Sequence, residues 1–441
     1  MTITTQGLIA ANRFGYGASY QQLLLASKDP VVWLKQQLTP VVFNAKLSSL
    51  DDMARMLMQY QQLKKAQKKL GNTVKRPKEQ IQAARDLMAD STLQAITMEN
   101  SISWRLLDFF SNHFSVTASN QRMTAIAATL EREAIGPNLL GKFEHLLMAV
   151  IKHPAMLIYL NNEQSAGNNS KLARRGKGLN ENLAREILEL HTIGVNGGYE
   201  QSDVIALANG ISGWSFKRPS KKNNAGFAFR RAAHQPGSQT LMAKHYGQQG
   251  LAQGEAMLKD LANMPQTAFF ICRKLAIHFV SDQPSTTLID AMVSRWQATG
   301  GNIKQVMYAL IESSQAWHPD SRKFKTPRDF VISSLRLFNY QPKSSRKVIR
   351  SLAALGQQPF KAGSPAGYGD TLAHWDGANA LMARIDWAAQ MANSRYAKNL
   401  DGVEQQLEAL LTSDNYQTVM RAESRKQSLT LALMSPEFQR R

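Results

Sequence analysis

Apolar residues recur at three- and four-residue spacings along almost the whole chain, and the period-two alternation of a half-buried strand is scarce. This pattern commits the backbone to helices that bury one stripe each. The expected class is all-α: a multi-helix, bundle-like globular domain with long basic and Gly/Pro-rich loops. With 441 residues, 43% of them hydrophobic and 20% charged, the chain can build one large helical core and is too apolar for disorder. No stretch of membrane-spanning length is free of charge.

Prolines and glycines place the helix ends. Pro30 opens PVVWLKQQL, and Leu50 to Leu70 reads as a long amphipathic helix with a basic end. Ile81 to Asn112 reads as one further helix. Its end and the residues after it carry Trp104, Phe109, Phe110 and Phe114, with His113 alongside. Pro265 opens TAFFICRKLAIHFVSD, and Thr326–Pro327 starts RDFVISSLRLF. The lone cysteine, Cys272, lies in an apolar run and is read as core; it excludes an intramolecular disulfide and a cysteine-rich metal site. The segments 161–178 and 215–250 read as long loops, and GQQPFKAGSPAGYGDTLAHWDG as an extended Gly/Pro-rich segment. The expectation is a single domain over 1–441.

The central stretch, Asn180 to Trp214, is NENLAREILELHTIGVNGGYEQSDVIALANGISGW. It predicts helix, glycine turn, helix. Asn180 is a natural N-cap, and Gly194 a left-handed C-terminal residue. Glu181, Asn182, Arg185, Glu186, Glu189 and Thr192 fall on one arc, and a Glu181–Arg185 pair would lace it as a solvated face. His191 falls instead on the apolar arc. Read as chemistry, Arg185, Glu186, Glu189 and His191 form a catalytic set, and His191 with Asp203 is a starting point for a divalent-metal site. Read as structure, Asp203 caps the second helix and the arc is surface.

The net charge is +20, and it is concentrated. Leu63–Asp86 holds eight Lys/Arg against two acids and reads as a basic surface insertion; Lys171–Lys177 holds four basic residues and Lys217–Arg231 six, with no acid in either. Such runs suit an anionic ligand or partner. The anion-binding candidates are Lys171, Arg174, Arg175, Lys217, Arg218, Arg230 and Arg231. Phe216, Phe227 and Phe229 lie among them and suit either base stacking or pinning of a loop.

Strong chemical signatures are absent: there is no HExxH, Glu-x-x-His pair, GxSxG elbow, Walker A loop or post-strand GxGxxG. His113, Glu131, Glu133, His153, His191, His234 and His278 remain as scattered polar residues beside apolar helices. The N-terminal MTITTQGLIAANRFGYG lacks a basic leader with an apolar core, which predicts no signal peptide and a cytoplasmic protein.

The central stretch, with NRFGYG, SNHFSV, HPAMLIYL, FFICRKLAIHFVSD, the GQQPF to HWDG segment and the terminal SPEF, resembles the bacterial domain of unknown function 1800 family from about Leu8 to Arg441. The resemblance implies no activity. It does imply relatives that are often exported and encoded beside a sulfatase-like secreted family, whereas this chain shows no signal peptide. Three functional readings follow. The first is an enzyme with a Glu/His/Arg site on the central helices. The second is a helical scaffold or accessory protein for a partner, sulfatase-like by the family context. The third is a nucleic-acid or anion binder, ranked last because no nucleic-acid motif accompanies the basic runs.

Overall fold

The helix starts follow from local chemistry. Ser49 and Asp52 form a reciprocal capping box that opens Leu50–Lys69. Thr326 and Asp329 do the same for Pro327–Leu337, with Pro327 in the first turn, where its missing N–H costs nothing. Pro30, Pro154, Pro265 and Pro436 open their helices in the same way.

The computed structural model describes residues 2–173, 176–394 and 403–441. The chain is mainly helical, 61% helix against 4% strand. The segment read as Ile81–Asn112 is two helices, Lys78–Thr97 and Ser101–His113. Extended backbone at Met98 breaks the run and lets the second helix turn into the core. The segment after Trp214 forms two short antiparallel hairpins, which pair Trp214–Lys217 with Gly226–Phe229 and Gln239–Leu241 with Lys244–Tyr246. Strands of three or four residues are too short to show an alternating pattern.

Buried apolar side chains form one continuous cluster. Ser101–His113 runs through it with Trp104, Leu106, Leu107 and Phe110 fully buried. Phe114, just beyond its end, stacks at 6.2 Å on Phe110 and at 6.3 Å on Phe143. Cys272 is buried in Pro265–Phe279. Among the described residues, no helix is long and apolar enough to cross a membrane.

Two helical stretches open into π-turns, Glu131–Ile135 and Ile187–His191. A π-turn holds one residue more than an α-turn, which re-aims the side chains around it. Both lie against the Ser101–His113 helix: the first packs on it directly, and the second through His113.

The two ends of the chain meet. Arg13, buried in the Thr5–Arg13 helix, donates to the carbonyls of Ala316 (2.6 Å) and His318 (2.9 Å). Arg441 exchanges backbone hydrogen bonds with Lys323 at 2.9 and 3.0 Å. The region from Thr5 to Arg13, the segment before Pro327 and the final residues therefore form one buried seam.

Candidate functional site

Beside that seam, five segments far apart in sequence converge on one cleft. Ser101–His113 supplies Asp108, Ser111 and Asn112, the first π-turn supplies Glu131, and Pro265–Phe279 supplies His278. Pro327–Leu337 supplies Arg328, and the Gly/Pro-rich segment supplies Gln357, Phe360, Tyr368 and Asp370 as a strap across the mouth. The cavity inside the cleft is about 70 Å³.

The strap is fixed by hydrogen bonds to the helix beneath it. Asn112 Oδ1 accepts from the Tyr368 amide at 2.7 Å, and its Nδ2 donates to the Tyr368 carbonyl at 2.8 Å. The Ala118 amide donates to the Phe360 carbonyl at 2.8 Å. Phe360 has φ +55°, unusual for a bulky side chain. Gly367 has φ +79°, and a Cβ there would lie 2.5 Å from the Asn112 carbonyl oxygen, so only glycine fits.

His278 Nδ1 lies 2.7 Å from Asp370 Oδ2. Burial alone would raise the Asp370 carboxyl, but His278, Lys323 and Arg441 hold it well below the usual carboxylate range. An ionised carboxylate only accepts, so His278 Nδ1 carries the proton. That leaves Nε2, on a residue that lines the cleft. It is buried and has no hydrogen-bond partner among the described residues.

Arg328 is the cleft's fixed cation. Its Nε lies 2.9 Å from Asp108 Oδ1, and its Nη1 and Nη2 donate to Thr92 Oγ1 (2.6 Å) and Ser91 Oγ (3.3 Å). Burial pushes Asp108 up, against the pull of Arg328. Burial also raises Glu131, opposed by Arg328 and by the hydroxyls of Ser91 and Ser111. The cleft thus places an orphaned imidazole nitrogen beside carboxyls biased towards their protonated form.

A buried ionic network supports it from behind. Asp329 is gripped by Arg105 Nη2 at 2.7 Å and by Arg441 Nε at 3.0 Å. Lys323 reaches Asp282 at 2.7 Å and donates to the Asp370 carbonyl. Burial pushes Lys325 down to about 7, against the attraction of Asp329.

A second constellation adjoins the first. Lys274 Nζ donates to His113 Nδ1 at 3.0 Å, and His113 Nε2 donates to the His191 carbonyl at 3.1 Å. The carbonyl can only accept, which fixes the His113 tautomer. Burial and then Lys274 push His191 down to about 3, so it is neutral. Its ring nitrogens have no partner among the described residues.

The central stretch lies on the far side of that bridge. Its first helix is Asn182–Glu186, and Asn180 Oδ1 caps the Asn182 amide at 2.9 Å. Gly194 has φ +83° and closes the π-turn onto the Leu188 carbonyl. Arg185 pairs with Glu181 (3.3 Å) and Glu189 (3.6 Å) and donates to Gln201 at 2.9 Å. Glu186 is half-buried; burial and Glu189 raise its pKa, against Arg185. Asp203 accepts from the amides of Glu200 (2.9 Å) and Met242 (2.7 Å). Among the described residues, no group of three or more His, Cys, Asp or Glu is arranged to hold a metal ion.

Of the anion-binding candidates, Lys171, Lys217, Arg218 and Arg231 are exposed, while Arg230 turns inward and donates to the Glu163 carbonyl. Arg174 and Arg175 lie outside the described residues. Sequence reasoning named Glu131 and His278 only as scattered polar residues and missed Asp108, Arg328 and Asp370. The signal was a charged residue inside an otherwise core-forming run, as in LLDFF and PRDFVI.

No curated protein sequence and no solved structure matches this chain. The model of the family described as Protein of unknown function (DUF1800) matches residues 9–440, nearly the full length, and the chain belongs to that family.

Proposed function

We propose that the protein is an enzyme whose cleft between Asp108, Glu131, His278, Arg328 and Asp370 performs general acid–base chemistry on a small polar substrate. The observation that carries this reading is His278. Its Nδ1 is held by Asp370 at 2.7 Å, its buried Nε2 has no partner among the described residues, and the residue lines the cleft. A buried polar nitrogen without a partner is costly unless a ligand or a transferred proton uses it.

In this reading His278 accepts the proton, and Asp370 orients the ring and stabilises the charge that develops on it. Glu131, biased towards its protonated form by burial, donates. Arg328 supplies fixed positive charge, and its pairing with Asp108 pre-organises it before substrate arrives. The strap from Gln357 to Asp370 excludes water. The central stretch then serves as support: Arg185, Glu181, Glu189 and Gln201 tie its two helices together, and His191 buttresses His113.

The test is a panel of chromogenic esters, phosphoesters, sulfate esters and glycosides, offered to the wild-type protein and to His278→Gln and Asp370→Asn. The expected result is turnover of one class. It should fall at least 100-fold in His278→Gln, and less in Asp370→Asn, with folding retained by circular dichroism. Turnover that both variants preserve would overturn the assignment.

A further inference from the structure

A second cavity, which shares no lining residue with this cleft, lies between the Leu50–Lys69 helix and the first hairpin. Leu57, Met58, Ile126, Pro154, Ile158 and Phe216 line its walls, and its cavity is about 210 Å³. The hairpin loop is pinned to the helix at one end. Asp51 Oδ1 accepts from the Ala225 amide at 2.6 Å, and Arg55 Nη1 donates to the Ser220 carbonyl at 3.0 Å. The groove is therefore built by the fold.

Its charge is one-sided. Arg122, Lys217 and Arg218 line it, and no acidic residue does. Arg122 sits over the Phe216 ring at 4.7 Å and pairs with Glu163 at 3.4 Å. Lys217 and Arg218 are exposed and have no carboxylate partner among the described residues. The exposed lysines Lys64, Lys65, Lys68 and Lys69 continue the positive face along the end of the helix. One of the three basic runs in the sequence thus lines the groove, and a second begins on the same helix just beyond Gln61. From Leu50 to Gln61 the helical wall runs roughly 16 Å, long enough to lie along an extended alkyl chain.

We propose that this groove binds a long-chain fatty acid anion, with its alkyl chain on Leu57, Met58, Ile126 and Ile158 and its carboxylate at Lys217 and Arg218. An apolar channel ending in unpaired cations fits an amphipathic monoanion. Nucleic acid or an acidic peptide would leave the apolar walls uncovered. The site is independent of the acid–base cleft.

The experiment is calorimetric titration of the delipidated full-length protein with octanoate, dodecanoate and dodecanol, and a flotation assay with phosphatidylglycerol vesicles. The expected result is saturable, one-to-one binding of dodecanoate. Octanoate should bind about 4-fold more weakly for each methylene lost. Dodecanol, and dodecanoate on Lys217→Glu/Arg218→Glu, should each bind at least 10-fold more weakly. These two positions are exposed, so the double variant folds. Ala54→Trp, which fills the groove, should abolish binding. No saturable binding of dodecanoate would overturn the proposal, as would equal affinity in both variants. Capture by vesicles without binding of dodecanoate would overturn it too, and would assign the basic face to a bilayer surface.

Discussion

Lys274 and His278 stand one turn apart on the Pro265–Phe279 helix yet serve different partners: Lys274 Nζ reaches His113 Nδ1 at 3.0 Å, and His278 Nδ1 reaches Asp370 at 2.7 Å. Burial pushes Lys274 down to about 8, and Asp370 opposes that shift. One carboxylate therefore acts on both. The bridge from the central stretch and the acid–base cleft share a helix face and a counter-charge.

Arg328→Met should cost about 3–5 kcal/mol of stability. The change keeps the side chain's bulk but strands Asp108 and leaves the hydroxyls of Ser91 and Thr92 without their donor. Urea unfolding followed by circular dichroism measures this. A loss under about 1 kcal/mol would mean that Asp108 is reached by water and that the pair is not the anchor of the cleft.

The pH dependence of Glu131 has a definite sign. Its folded pKa lies above its unfolded value because burial disfavours the charged form. Its protonated state thus stabilises the fold fully below the unfolded pKa, near 4.5, and that contribution is lost as pH rises through the folded pKa. Glu131→Gln mimics the neutral acid. The variant should melt at the same temperature as the wild type at pH 4 and at a higher one at pH 8.

The strap should not tolerate Gly367→Ala. The substitution places a methyl group 2.5 Å from the Asn112 carbonyl and forces an L-residue to φ +79°. The left-handed backbone costs about 1–2 kcal/mol before the clash is counted. Limited proteolysis should cut the variant within 356–377 under conditions that leave the wild type intact.

His153 makes the fold acid-sensitive. Burial pushes it down to about 3, so it is neutral in the folded chain, and its Nδ1 accepts from the Ala155 amide at 3.2 Å. Its contribution is fully present above the unfolded pKa of about 6.5 and falls as pH drops towards 3, by about 2 kcal/mol at pH 5. His153→Asn keeps a cap acceptor but has no proton to gain. Its stability should fall less than that of the wild type between pH 7 and pH 5, as read by urea midpoints.

Local chemistry was legible in the sequence, and long-range assembly was not. Pro265, the Thr326–Pro327 pair and the Leu50 start mark real helix ends, because a proline or a capping box acts within one turn. Gly194 and Asp203 also serve as the sequence suggested, one as a left-handed helix stop and the other as a cap. The break at Met98 escaped because the apolar spacing continues across it. The cleft escaped for a different reason. Arg328 meets Thr92 across 236 positions, and His278 meets Asp370 across 92. No spacing rule spans such distances. Asp108 and Arg328 are charges inside core-forming helices, and only the fold makes each the partner of the other.

The grip of Arg441 on Asp329 also sets an order of events. Arg441 is later in the chain than every other member of the network, so Asp329 can meet Arg105 before it meets Arg441. Lys323 likewise lacks its backbone pairing with Arg441 until then. The charge balance behind His278 and Asp370 draws on a residue far later in the sequence than either. A chain cut before Arg441 keeps every side chain that lines the cleft and loses one of the two arginines that grip Asp329.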